Sequence, residues 1–261
     1  MKEARGAVIL DEGDPAPVCV VKPGGRADLL FVGDHAGNAI PRGLGDLGLS
    51  AIDRRRHIAW DIGVRSLGSR MAEILGATFV HQHFSRLVID CNRDPHSAAA
   101  ILSVSDATPV PGNLRLDEEG REQRRLAIHA PYHERIGTEI AIRKGRAGAG
   151  PMVVALHSFT PTLGVEERRP WHVGVLHDAG DTRASHVMLT CLTREKDLTV
   201  GDNEPYRMDA TDYTIPRHAY PSGLSYLELE FRQDLLADAD AVQSWAVRCA
   251  GWIEVVLDRT S

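Results

Sequence analysis

Short apolar runs that end abruptly in polar residues constrain this chain more than any other feature. Leu29-Leu30-Phe31-Val32-Gly33 lies between Asp28 and Asp34 and empties into Asp34-His35-Ala36-Gly37-Asn38. Met152-Val153-Val154-Ala155-Leu156 likewise empties into His157-Ser158-Phe159-Thr160-Pro161. Runs this short, bounded by polar residues, suit strands buried on both faces of a sheet. The same reading predicts strands at 77–82, 87–90, 173–176 and 226–231. Between them the apolar period becomes helical. Trp60, Val64, Leu67, Met71, Ile74 and Leu75 precede a closing Gly76. Val242, Trp245, Cys249, Trp252, Ile253 and Val256 form one face of a last helix. A charged helical pattern over 117–143 is interrupted at Pro131, 178–194 reads as helix and 97–115 as a long loop. Strands alternating with helices predict an α/β fold, with a mainly parallel sheet covered on both sides. With 261 residues and no linker or repeat, one domain over 1–261 is expected. Its ligands should lie beyond the carboxyl ends of the strands.

Composition removes several alternatives. The formal net charge is −6 and the basic residues are scattered, which argues against a nucleic-acid partner. No apolar run approaches the ~20 residues of a membrane span. Met1-Lys2-Glu3-Ala4-Arg5 carries an early acid and is not followed by a long apolar stretch, unlike a secretory signal. Cys19, Cys91, Cys191 and Cys249 lie far apart with no CxxC pair, as free thiols in a reducing compartment would. The expectation is a cytoplasmic protein with a small-molecule ligand, and the oligomeric state stays open. Among 30 basic residues 26 are Arg, and 12 His stand out beside them. Arg matches carboxylates with a planar fork, and His offers a neutral nitrogen to metals or protons.

Position decides which of these residues matter. His35 and His157 sit at the ends of two predicted strands, so the sheet would deliver both to one edge. That layout suits a metal site with an open coordination position, although a His at a strand end is also a common hydrogen-bonded residue. Glu228, Glu230 and Arg232 alternate along the strand from 226 and must share a face. Either they serve a site, or they form an exposed edge with Arg232 as their ion-pair partner. Arg86 and Arg93 could likewise be ion-pair partners of Asp90 or Asp94. His81-Gln82-His83 could ligate metal from one strand face, and polar strand-end packing is the plainer reading. His129 and His133 share a helix face, without the acidic residue of a zinc-protease helix. Gly43-Leu44-Gly45-Asp46-Leu47-Gly48 resembles a dinucleotide fingerprint but starts ten residues beyond the strand that it should follow at once.

Taken in order, three blocks of sequence are familiar: Asp34-His35-Ala36-Gly37-Asn38 with Pro41, His57-Ile58-Ala59-Trp60-Asp61-Ile62-Gly63, and Ser85-Arg86-Leu87-Val88-Ile89-Asp90-Cys91-Asn92-Arg93. They continue in His157-Ser158-Phe159-Thr160-Pro161, Gly201-Asp202-Asn203-Glu204-Pro205-Tyr206 and Glu230-Phe231-Arg232-Gln233-Asp234-Leu235. The series resembles the N-formylglutamate amidohydrolase family over roughly residues 28 to 240. The resemblance implies a three-layer α/β/α sandwich, hydrolase-like, around a mixed, mainly parallel sheet, as in the zinc-dependent exopeptidases. It also implies one divalent metal ion, Zn²⁺, on His35 and His157, and a role in histidine degradation. Asn92 and Arg93 would grip a substrate carboxylate with help from Arg232. Glu230 would be the catalytic base, chosen over Glu228 on the Glu-x-Arg match, and Arg86 would stabilise an oxyanion or a second carboxylate. Related zinc enzymes place a Glu three residues after the first His, where this chain has Asn38. A neutral amide is a poor zinc ligand, so Asp61 is the expected third one. The implied reaction splits N-formyl-L-glutamate into formate and L-glutamate. An amidase for another N-acyl amino acid or a short peptide, and a non-catalytic carboxylate-binding homologue, stay open as alternatives.

Overall fold

Five buried apolar runs, at 29–33, 78–82, 152–159, 173–176 and 226–232, form the body of a seven-stranded sheet because each can bury both faces. The computed structural model describes residues 9–164 and 167–260, so the Met1–Arg5 segment lies outside the described residues. In chain order the strands and helices are β1 (Val18–Val21), β2 (Leu29–Gly33), α1 (Val64–Leu75), β3 (Thr78–Gln82), β4 (Val104–Ser105), β5 (Thr108–Pro109), α2 (Glu118–Arg124) and α3 (Ala130–Ala147). There follow β6 (Met152–Phe159), β7 (Val173–Leu176), α4 (Arg183–Leu192), β8 (Val200–Asp202), α5 (Thr214–His218), β9 (Tyr226–Arg232) and α6 (Ala239–Thr260). The sheet order is β1-β3-β2-β6-β9-β7-β8, with β4 and β5 a separate hairpin. β3, β2, β6 and β9 run parallel, while β1 and β7 pair antiparallel with β3 and β9. The sheet is therefore mixed and mainly parallel.

Alternation along the strands divides the core in two. Leu29 and Phe31 of β2, Phe79 of β3, and Leu227, Leu229 and Phe231 of β9 pack under α1, α4 and α6. Leu30, Val32, Val80, Val153 and Tyr226 face the other way, against Ile128, Tyr132, Ile136 and Ile215 from the α3 and α5 side. Each fully buried large apolar side chain contributes about 1.5–3 kcal/mol relative to exposure. This period-2 division puts His157 on the face opposite Phe231, together with Glu228, Glu230 and Arg232.

Some boundaries differ from the sequence reading. The segment 87–90 is no strand: Leu87, Val88 and Ile89 are buried, but the Val88 N–H donates to Ser85 and the Asp90 N–H to Ala100 instead of to a ladder. Burial without pairing imitates a strand in composition alone. The first helix begins at Val64 rather than Trp60, because Gly63 at φ 89° breaks the chain there and leaves Asp61 on a loop. The interruption near Pro131 is a π-helical turn over Arg125–His129 that joins α2 to α3. Proline lacks the N–H needed to continue regular bonding from the preceding helix. The helix expected from 178 starts only at Arg183. Strands β1 and β8 were not foreseen, nor was the short β4–β5 hairpin inside the 97–115 segment read as a loop. Among the described residues no helix is long and apolar enough to cross a membrane, and all four cysteines are free.

Candidate active site

Three segments meet beyond the carboxyl ends of β2 and β6. The chain leaving β2 passes Asp34 and His35 and needs Gly37 to run against the segment after β3, because a Cβ there would lie 2.0 Å from the His83 carbonyl oxygen. The loop before α1 is tied back by the Asp61 N–H, which donates to the His35 carbonyl at 2.8 Å. The third segment is the end of β6, whose Ser158 N–H donates to Asp61 Oδ2 at 3.2 Å. One ligand atom from each of His35, Asp61 and His157 lies within 4.8 Å of the others, and all three side chains are buried.

The two imidazoles are oriented by carboxylates. His35 Nε2–H donates to Asp90 Oδ1 at 2.7 Å, which leaves Nδ1 buried without a hydrogen-bond partner. Nδ1 lies 3.5 Å from Asp61 Oδ2. His157 Nδ1 lies 2.9 Å from the same oxygen, and its Nε2 faces Asp34 Oδ2 at 3.4 Å. Each ring thus turns Nδ1 toward Asp61 and Nε2 toward a separate carboxylate. Carboxylates behind imidazoles in this way fix ring orientation and tautomer in metal sites. Asn38 is elsewhere: its amide donates to the Arg54 carbonyl at 3.2 Å.

Charge balance explains the electrostatics. Burial alone would raise the carboxyl of Asp34, but the close approach of the His157 ring and the charges of both histidines hold it down to about 2. Burial is likewise overcome at Asp61, where His35 and His157 keep the carboxyl below its usual range. Burial opposes ionisation at Asp90 too, yet Arg86 and His35 hold it well below the usual value. The same carboxylates overcome burial at the rings, raising His157 well above the ordinary imidazole value and His35 in the same direction. Glu228 and Glu230 go the opposite way. Burial, reinforced by neighbouring carboxylates, pushes both up to about 8. Neither is an exposed edge residue, and Glu230 Oε2 is buried without a partner.

A cavity of about 620 Å³ opens over these groups and is lined by His35, Asp61, His157, Glu228 and Glu230 together with Arg86, Asn92 and Arg93. Arg86 grips Asp90 Oδ2 through Nε and Nη2 and points Nη1 at Asp61 Oδ1, 3.7 Å away. Arg93 is held by Nη1 to the Asn92 and Thr211 carbonyls and to Asp212. Its Nε and Nη2 have no protein partner among the described residues. The Asn92 amide is spent on Asp212 and on the N–H groups of Tyr213 and Thr214, so it shapes the wall. Arg232 is absent from the lining: its guanidinium binds Asp234 and the carbonyls of Arg169, Pro170 and Trp171. Alternation places it on the right face, but one pleat beyond Glu230 it reaches the loop instead of the cavity.

Other contributors were not singled out from the sequence. Asp34 stood inside a conspicuous block with no role of its own, and Asp90 was readable only as an ion-pair partner of Arg86, which it is. Pro205, Tyr206 and Arg207 line the cavity because Gly174 and Gly201 let the Glu204 carbonyl sit on β7 and β8; a Cβ on either would come within 2.4 Å of it. Arg169 stacks over Tyr206 at 4.9 Å and donates to its hydroxyl. His57 also lines the cavity, with Nε2 3.5 Å from Asp106 Oδ2. His129 and His133 bond the Arg93 and Cys91 carbonyls, buttressing the segment that carries the arginines.

A family model described as N-formylglutamate amidohydrolase matches residues 27–237. The chain belongs to the N-formylglutamate amidohydrolase family. Membership places it among enzymes that hydrolyse amide bonds. A solved gene product of Agrobacterium tumefaciens is similar at 36% identity and a TM-score of 0.89, over 96% of this chain and 98% of that one. A solved N-formylglutamate amidohydrolase from Ralstonia eutropha JMP134 shares the fold at 21% identity and a TM-score of 0.72, over 94% of this chain and 98% of that one. No curated protein matches the chain.

Proposed function

We propose that the cavity holds one divalent metal ion, Zn²⁺, and hydrolyses the amide of a small acidic N-acyl amino acid, N-formyl-L-glutamate being the best candidate. The observation that carries this reading is the convergence of His35 Nδ1, His157 Nδ1 and Asp61, each imidazole braced by its own carboxylate, beside Glu230. Two imidazoles and a carboxylate with a position left open are a donor set of the catalytic zinc type. When bound, such an ion supplies Lewis acidity to the scissile carbonyl and acidifies water.

The protein's own residues do the rest. Glu230 takes a proton from the attacking water and returns it to the departing amine, a role served by a carboxyl poised near neutrality. Glu228, one pleat deeper on the same face, backs it. Arg93 presents its free Nε and Nη2 edge to a substrate carboxylate, where bidentate pairing fixes register. Arg86 turns one amino group into the cavity beside Asp61 and stabilises negative charge developing on the carbonyl oxygen. Arg207 supplies a further cation for a second carboxylate. Arg232 acts at a distance by fixing the 169–171 loop.

Comparing kcat/KM for N-formyl-L-glutamate, N-formyl-L-alanine and N-acetyl-L-glutamate tests the assignment. At least a ~10-fold preference for N-formyl-L-glutamate over N-formyl-L-alanine is expected, since the side-chain carboxylate adds a charge-assisted contact worth about 1.5–3 kcal/mol. Equal turnover of all three refutes the proposed specificity and favours a broader N-acyl amidase. No turnover by metal-loaded protein, with the acids still bound, favours a carboxylate-binding homologue.

A further inference from the structure

A second convergence of ligand-type side chains lies at the outer edge of the sheet, on its other face. β1 is the edge strand, and Cys19 is the register partner of His81 on β3, so the two side chains leave the same face of the ribbon. His83 follows two residues later. The sulfur of Cys19 and one nitrogen of each ring lie within 4.8 Å of one another. Phe79, part of the core under α1 and α6, packs against His81 with ring centroids 4.9 Å apart. This is the face opposite that of His157 and Glu230, and the two clusters share no residue.

Backbone carbonyls set the tautomers. His81 Nδ1 lies 3.1 Å from the Gln82 oxygen and His83 Nδ1 lies 2.7 Å from the Ala16 oxygen. A carbonyl only accepts, so Nδ1 carries the hydrogen and Nε2 the lone pair in each neutral ring. Ligand histidines are oriented in the same way, with the second ring nitrogen donating to a carbonyl or carboxylate. Among the described residues neither Nε2 nor the Cys19 sulfur has a hydrogen-bond partner. The two rings meet edge-on at 83°, with centroids 5.3 Å apart, rather than stacking. His81 is buried, while Cys19 and His83 are half-buried. His83 borders a cavity of about 710 Å³ with Asn38, Trp60, Arg65 and Ser66.

We infer that Cys19, His81 and His83 form a second metal site, selective for a thiophilic ion such as Zn²⁺. One sulfur and two imidazole nitrogens disfavour Mg²⁺ and Ca²⁺, and three protein ligands leave one position to water. Tetrahedral zinc wants donors roughly 3.3–3.8 Å apart, so side-chain adjustment from the present spacing closes the site. Binding exchanges the Cys19 S–H proton for a sulfur–metal bond and releases that proton. The thiolate adds a negative charge to a cluster on which the Arg65 cation acts through His81. The ion clips edge strand β1 to β3.

Cobalt(II) reads this site independently of the proposed hydrolase centre, which contains no thiolate. Chelator-stripped full-length protein titrated with Co²⁺ should develop a near-ultraviolet thiolate-to-cobalt charge-transfer band. Cys19→Ser should lose the band while keeping amide hydrolysis, and Cys191→Ser should keep it. His83→Ala should weaken binding at this site by more than the roughly 10–100-fold typical of an outer-shell partner. In the wild type, Zn²⁺ should also slow the reaction of one thiol with a thiol reagent. Absence of the band in folded, Co²⁺-saturated protein, its survival in Cys19→Ser, or thiol reactivity indifferent to Zn²⁺ would each overturn the assignment.

Discussion

Asp90→Asn removes one charge and no volume, yet it strikes the proposed metal centre through two neighbours. Asp90 Oδ1 accepts from His35 Nε2 at 2.7 Å and from the Asn92 N–H at 2.9 Å, while Oδ2 accepts from Arg86 at 2.6 Å. An amide cannot satisfy all three, because its NH₂ group must face either the Arg86 guanidinium or the His35 N–H. Two donor–donor contacts result whichever way the amide turns, with His35 and the Asn92 N–H on one side or with Arg86 Nε and Nη2 on the other. An outer-shell loss of this kind weakens metal affinity about 10–100-fold, or roughly 1.4–2.8 kcal/mol. Stability should fall by about 1–3 kcal/mol for the buried donor left unsatisfied. Arg86 is partly exposed, so water screens it and the fully buried ion-pair penalty does not apply. Competition against a chromophoric chelator gives the affinity, and urea unfolding in excess chelator gives the stability. A folded variant that binds metal as tightly as wild type would refute Asp90 as the group that orients His35.

Three further outcomes follow from the geometry. Arg93→Ala should raise KM for carboxylate substrates about 10–100-fold, with a smaller change in kcat, in steady-state assays; an unchanged KM removes Arg93 from the clamp. Glu230→Gln should lower kcat about 10²–10⁴-fold, and Glu228→Gln much less; the reverse order in the same assay makes Glu228 the base. His157 is held protonated by its carboxylates, so its contribution to stability is complete below the ordinary imidazole value and fades as pH rises through its raised folded value. A metal ion competes with that proton, so affinity should weaken as pH falls, and calorimetry in buffers of different ionisation enthalpy should show net proton release; binding without proton release contradicts His157 as a ligand.

Much of the sheet was legible because buried parallel strands leave short apolar runs, as at 29–33 and 152–156. The stripe of Glu228, Glu230 and Arg232 was legible for the opposite reason, since three charges on alternate positions break that pattern. What was hidden depends on tertiary position. Leu87-Val88-Ile89 is as apolar as a strand but packs as an unpaired buried connection. β1 and β8 are short flanking strands whose pairing only the sheet reveals. Asp61 could be suspected as a ligand from the poor chemistry of Asn38, but its approach depends on Gly63 ending the loop before α1. Arg232 shows the converse. Its strand parity was readable, whereas the 169–171 carbonyls that occupy it lie far away in sequence.

Metal dependence tests the central claim most directly. Chelator-treated protein should be dialysed, analysed for metal content, and assayed for formate release from N-formyl-L-glutamate with and without added Zn²⁺. Loss of turnover with the metal and its recovery once added Zn²⁺ refills the His35, Asp61 and His157 centre are expected, with no recovery in Asp61→Ala. Undiminished formate release by protein shown to be metal-free would contradict the metal-centred mechanism.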